Sequence, residues 1–215
     1  MAMIQQLDIL MNNAGIMAVP AQVTDDGYEI QFGTNYVGHA LLTKLLLPIM
    51  LKAAKNPTSD VRIINLTSHS HTRAPKGGIQ FSKLHSADVE TTSLTKYGQS
   101  KLANILHAKE MAKRYPTIKT IAIHPGMVNT GLSTSMRQSF LLARLLMPAV
   151  AYFSAVGVKQ GVLNQLWGVA SADAESGEYY EPIGVGGLGS VYTKDAELAK
   201  KLWEWTEKEL GRFDI

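Results

Sequence analysis

A chain of 215 residues, 46% of them hydrophobic and 18% charged, is long enough for one α/β domain with a sizeable core and too apolar to be disordered. Its net charge of +3 is small and its Lys and Arg never form a block, which argues against a nucleic-acid partner. No Cys is present, which excludes disulfides and thiolate metal sites and fits a reducing, cytoplasmic setting.

Residues 1–6 lack the basic, apolar and cleavage regions of a secretory signal. Residues 140–153 are strongly apolar but too short and too broken, by Arg144 and Pro148, to span a bilayer. A buried or lid-like amphipathic helix is expected there, and no transmembrane segment.

Residues 7–11 (Leu-Asp-Ile-Leu-Met) read as a buried parallel strand ended by the turn Asn12-Asn13-Ala14-Gly15. Thr24-Asp25-Asp26-Gly27 carries an N-cap signal for a helix running on to Lys55, weakened by Gly33 and Gly38 and kinked by Pro48. Asn56-Pro57 then ends it. Residues 61–67 are β-branched enough for a central strand, with Ser68 just past its end. Residues 69–95 read as a long functional loop. A helix bearing Tyr97 and Lys101 follows, to about Arg114. Residues 117–124 form a third strand closed by Pro125-Gly126, and residues 156–170 an amphipathic helix. A short strand at 177–182 and a terminal helix at 195–210, stopped by Gly211, complete the chain. Alternating strands and helices predict an α/β fold, a doubly wound, mostly parallel sheet in a single domain over residues 1–215.

In such a sheet, ligands bind at the carboxyl ends of the strands, where Asn12 to Gly15, Ser68 and His124 to Thr130 fall. Four residues apart on a helix, Tyr97 and Lys101 share a face. A phenol titrates near 10, and a cation about 4 Å away at an effective dielectric near 20 contributes about 4 kcal/mol, or about three pKa units, before desolvation offsets part of it. Lys101 is therefore expected to lower the Tyr97 pKa. His69 and His71 lie two apart but have no third ligand at a telling spacing, so no metal site is expected.

Asn12-Asn13-Ala14-Gly15, Asn35, Ser68, Tyr97 with Lys101, and Pro125-Gly126 with Thr130, in this order, resemble the short-chain dehydrogenase/reductase family. The run Ser100-Lys101-Leu102-Ala103-Asn104 is similar to its retinol-dehydrogenase-like branch. The resemblance implies an oxidoreductase that moves a hydride between NADP or NAD and an alcohol or carbonyl. It makes Tyr97 the general acid or base, Ser68 the partner of the substrate oxygen, and Asn35 the holder of a water that relays protons to Lys101. Lys101 would also bind the nicotinamide ribose. Asn12, Ala14, Gly15, Pro125, Gly126, Val128 and Thr130 would hold the nicotinamide half. Residues 140–153 would wall a lipophilic substrate, and a homo-oligomer is expected. Individually, the Asn turn and Pro125-Gly126 are also what any turn and any strand end require.

The family's strand, Gly-rich turn and first helix, which receive the pyrophosphate, have no counterpart before residue 7. Gly184-Val185-Gly186-Gly187-Leu188-Gly189 is glycine-rich but late, and reads as a flexible loop. Losing about three charge-assisted hydrogen bonds would weaken cofactor binding by roughly 5–9 kcal/mol. The alternative expectation is thus a truncated, catalytically silent binding or oligomerising module whose first strand is an exposed edge.

Overall fold

The computed structural model describes residues 4–128 and 157–213. Its centre is a sheet in the order β1 (Ile9–Asn12), β2 (Arg62–Leu66), β3 (Lys119–Ile123), β4 (Tyr179–Glu181), β5 (Val185–Gly186). The first four strands are parallel, in register Leu10↔Ile63, Ile63↔Thr120 and Ala122↔Tyr179, and β5 turns back antiparallel on β4.

Period-2 alternation sends successive side chains to opposite faces. Leu10, Val61 and Ile63 join Met50 and Ala53 of α1 (Ile30–Ala53) and Met111 of α2 (Ser93–Arg114). Ile64, Leu66, Ile121 and Ile123 point the other way, toward Trp167 and Val169 of α3 (Leu163–Ala170). Helices therefore cover both faces, as in a doubly wound sheet. Ile63, Ile64 and Ile121 are fully buried, and each contributes about 1.5–3 kcal/mol. The last helix, α4 (Ala196–Leu210), brings Leu198, Ala199 and Leu202 onto Leu102, Ala103 and Leu106 of α2.

Several elements differ from the sequence expectation. The first helix starts at Ile30, capped by the Glu29 carboxylate, which accepts the Phe32 N–H. Thr24 to Gly27 instead form a tight turn whose ends are bridged by Val23 and Glu29, so the capping residues serve the turn. The first helix is also not uniform: Gly33–Val37 is a π turn, and the helix runs on through Pro48 to Ala53. By length and composition alone it is apolar enough to cross a membrane, a candidate the expectation of no such segment passed over. Its Phe32, Tyr36 and Ala40 pack on α2 and its Met50 on the sheet, as a core helix does.

The stretch read as loop holds two 3₁₀ turns, His69–Arg73 and Phe81–Lys83, and α2 begins at Ser93 behind a Thr92 cap. The helix expected at 156–170 is interrupted between Val158–Gly161 and α3. The glycine-rich segment is not simply a loop, because Val185–Gly186 supplies β5. The first strand does lie at the sheet's edge: β1 pairs with β2 alone among the described residues, and Ile9 is exposed.

Candidate active site

The site is built on the middle of α2. This helix is buried along most of its length because it is clamped between β3 and α4. Tyr97 and Lys101 are each only 4% exposed. Gly98 lets the 3₁₀ turn after β2 come close: a Cβ there would sit 2.5 Å from the Ser70 carbonyl oxygen and 3.0 Å from the Ala74 nitrogen. That close approach carries Ser68 to α2, where its hydroxyl lies near enough to the Tyr97 phenol to favour the ionised form.

Lys101 Nζ lies 5.6 Å from the centre of the Tyr97 ring and donates to the Leu66 carbonyl at 3.0 Å. Asn104 Nδ2 donates to the same carbonyl at 2.9 Å, and Thr67 Oγ1 donates to the Lys101 carbonyl at 2.7 Å. Asn35, fully buried in the π turn, donates from Nδ2 to the Ile16 carbonyl (2.9 Å) and Ser100 Oγ (3.0 Å). Its Oδ1 accepts the Ile16 N–H at 2.8 Å. Ser100 Oγ passes the chain on to the Tyr97 carbonyl at 2.8 Å. His39 Nδ1 donates to the Asn35 carbonyl at 3.0 Å. Gly15 packs closely here, since a Cβ would meet Asn35 Oδ1 at 3.1 Å and Lys101 Nζ at 3.5 Å.

The electrostatics overturn one expectation. Burial pushes the Tyr97 phenol up to about 12, only partly opposed by the Ser68 hydroxyl. Burial also pushes Lys101 down to about 8. The ammonium is held by Leu66 rather than by the phenol, so desolvation wins over the pair's attraction and both groups are driven toward their neutral forms. At neutral pH Tyr97 is a protonated acid.

A cavity of about 540 Å³ opens beside the pair, lined by Asn13, Ala14, Gly15, Tyr97, Lys101, Pro125, Gly126 and Val128 among others. The structure thus brings most of the expected cofactor residues to one space. Asn12 is not among them: its amide is buried, donating to Thr43 Oγ1 (3.0 Å) and Asn65 Oδ1 (2.8 Å), and ties β1 to β2 and α1. Asn35 and Ser68 are not among the lining residues either: Asn35 is buried and tied through Ser100 to the Tyr97 carbonyl, while Ser68 is half-buried beside Tyr97. Thr130 and residues 140–153 lie outside the described residues. His69, His71, His124 and Glu181 cluster past Ser68, with His69 Nδ1 2.7 Å from a Glu181 oxygen. Among the described residues no set of three ligands is arranged to hold a metal.

Sequence reasoning missed His39 and the amide of Asn164. Asn164 Nδ2 donates to the His124 carbonyl (2.6 Å) and its Oδ1 accepts the Gly184 N–H (3.0 Å), clamping the ends of β3 and β4. No pattern in the sequence signalled Asn164.

The short chain dehydrogenase family model matches residues 1–140. The chain is 38% identical over 222 residues to the short-chain dehydrogenase/reductase drtF of Aspergillus calidoustus, covering 96% of this chain and 69% of that protein. It is 34% identical to retinol dehydrogenase 14 of Mus musculus, covering 96% of this chain and 60% of that protein. An uncharacterised protein from Mycobacterium Paratuberculosis shares the fold at a TM-score of 0.68 and 29% identity, over 96% of this chain and 68% of that one. The chain belongs to the short-chain dehydrogenase/reductase family of oxidoreductases.

Proposed function

We propose that the chain transfers a hydride between a nicotinamide cofactor, NADP(H) or NAD(H), and an alcohol or carbonyl substrate. The observation that carries this reading is the buried Tyr97, with Ser68 beside its phenol, facing the same cavity as Lys101. The cavity suits the nicotinamide half of such a cofactor. The missing Cβ of Gly15 leaves room beside Lys101, and an ammonium with one carbonyl acceptor keeps donors for ribose hydroxyls. When bound, the cofactor supplies or accepts the hydride. Tyr97 gives its proton to the substrate oxygen in reduction and takes one in oxidation, and Ser68 holds that oxygen. Lys101, fixed between Leu66 and the cavity, orients the ribose. Asn35 supports the pair through Ser100.

The high Tyr97 pKa makes the two directions differ. Reduction finds the acid already protonated, whereas oxidation needs the phenolate and speeds up as pH rises from 6 toward 8. The resemblance to a protein named retinol dehydrogenase 14 supports a lipophilic alcohol or aldehyde. The absence of Cys supports a reducing, cytoplasmic setting.

Calorimetric titration with NADPH and with NADH, followed by reduction of a medium-chain aldehyde, tests the reading. Micromolar binding and turnover that disappears in Tyr97→Phe support it. Binding of neither cofactor favours the silent-module alternative.

A further inference from the structure

The turn after β2 and the glycine-rich segment after β4 meet at one buried imidazole. His71 is fully buried, with its Nδ1 2.8 Å from the Ser68 carbonyl oxygen and its Nε2 3.1 Å from the Ser190 nitrogen. A carbonyl can only accept and a backbone N–H can only donate. Nδ1 therefore carries the proton, and Nε2 offers its lone pair. The Ser68 carbonyl takes the His71 backbone N–H as well, at 3.0 Å. The ring packs edge-on against Tyr179 of β4, centroids 4.9 Å apart. Ser68 in turn accepts the Ser70 N–H on its hydroxyl at 3.1 Å and lies beside the Tyr97 phenol, whose ionised form it favours.

We propose that His71 is a positioning residue: a neutral strut, locked as the Nδ1–H tautomer, that holds Ser68 against Tyr97 and moors the glycine-rich segment to the same turn. Neither end of the strut tolerates another state. A second proton on Nε2 would face the Ser190 N–H donor to donor, and the opposite tautomer would leave both partners unmatched. Burial lowers the His71 pKa, and the groups nearest it, His69 and Glu181, pull in opposite directions. The catalytic half of the proposal rests on the oxidoreductase reading, while the structural half does not.

Three measurements on the full chain test it. Nitrogen chemical shifts of His71, assigned by difference against His71→Gln, should show one protonated and one bare nitrogen at neutral pH. Rapid averaging between the two would overturn the strut. Exchange of the Ser190 amide should quicken by roughly 10-fold or more in His71→Phe, which removes a buried acceptor. It should slow again in His71→Gln, which keeps one donor and one acceptor. Equal exchange in all three proteins overturns the mooring. In reduction of a medium-chain aldehyde, His71→Phe should lower kcat by about 10-fold with the KM for NADPH or NADH little changed. Added to Ser68→Ala, it should cost almost nothing further, because the two act as one unit. An additive loss would show a merely structural role and overturn the positioning. A wild-type chain with no turnover overturns the proposed function instead, and the nitrogen shifts and Ser190 exchange then still decide the strut.

Discussion

The two flanks of the site are held by different chemistry. On the side of β1 and the first helix, the Asn35 amide makes its bonds to Ile16 and Ser100, and none of those partners titrates. At the ends of β2, β3 and β4, the bonds run through imidazoles and a carboxylate. His71 spans Ser68 and Ser190, while the Glu181 carboxylate takes both His69 and the Tyr179 hydroxyl, the latter at 2.9 Å. Those amide bonds have no proton to gain or lose, and His39 beside them donates from Nδ1 to the Asn35 carbonyl in either charge state. The second flank depends on His71 keeping a bare Nε2 for the Ser190 N–H. A binding site can thus be rigid on one side and conditional on the other.

Tyr97 lies where the flanks meet, and its removal has the largest expected effect. Tyr97→Phe should lower aldehyde reduction by about 100-fold or more while calorimetry finds cofactor affinity nearly unchanged. A small loss of rate would remove the centre from which both flanks are described.

Acid should separate the flanks next. Burial holds His124 at about 4, against 6.5 for the free group. The unfolded chain then takes a proton that the folded chain refuses. Stability is full above the unfolded value and drains as pH falls from about 6.5 to about 4, by on the order of 3 kcal/mol for a fully developed shift of that size. Urea unfolding from pH 7 to 4.5 measures the slope, and His124→Gln should flatten it. A slope unaffected by that change would put the sensitivity elsewhere, His107 of α2 being held at about 4 by burial as well.

A steric probe of the conditional flank should have a moderate effect. Gly98→Ala drives a methyl into the Ser70 and Arg73 backbone, and overpacking of this kind costs about 1–3 kcal/mol. The urea midpoint should fall and reduction should slow together, since the same turn carries Ser68. The matching probe of the rigid flank, Gly15→Ala, meets Asn35 Oδ1 at 3.1 Å, a milder contact. Cofactor affinity should weaken by about 10-fold at most, a change on the scale of about 1.4 kcal/mol, with the urea midpoint little moved. If Gly15→Ala proved the more damaging, the flanks would have to exchange roles.

The Tyr97–Lys101 pair and the Asn-rich turn of the rigid flank were legible in the sequence, because they sit on or at the ends of regular elements, whereas the π turn that holds Asn35 was not. Tyr97 and Lys101 are four apart on a helix, and the Asn-rich turn closes a strand, so spacing alone places them. The conditional flank was less so. His71 works from a 3₁₀ turn and reaches Ser190, which is remote in sequence and close only through tertiary packing. Asn164 bridges His124 and Gly184 from a short helix, with no periodicity to single it out. Spacing placed the Tyr97–Lys101 pair but not its ionisation. The expected drop in the Tyr97 pKa assumed that the ammonium faces the phenol, and the Leu66 carbonyl, which no pattern marks as a competitor, takes it instead.

The π turn at Gly33–Val37 leaves the first helix with two phases. One residue more per turn means that side chains before it and after it are offset by roughly 100° around the axis, as if two helices had been spliced out of step. Asn35 lies at the splice. Deleting a single residue from this turn would mend the helix into one regular rod. The same deletion would swing the segment before the splice, Gln31 and Phe32 included, away from α2, so the irregularity sets how the helix's two segments face their neighbours.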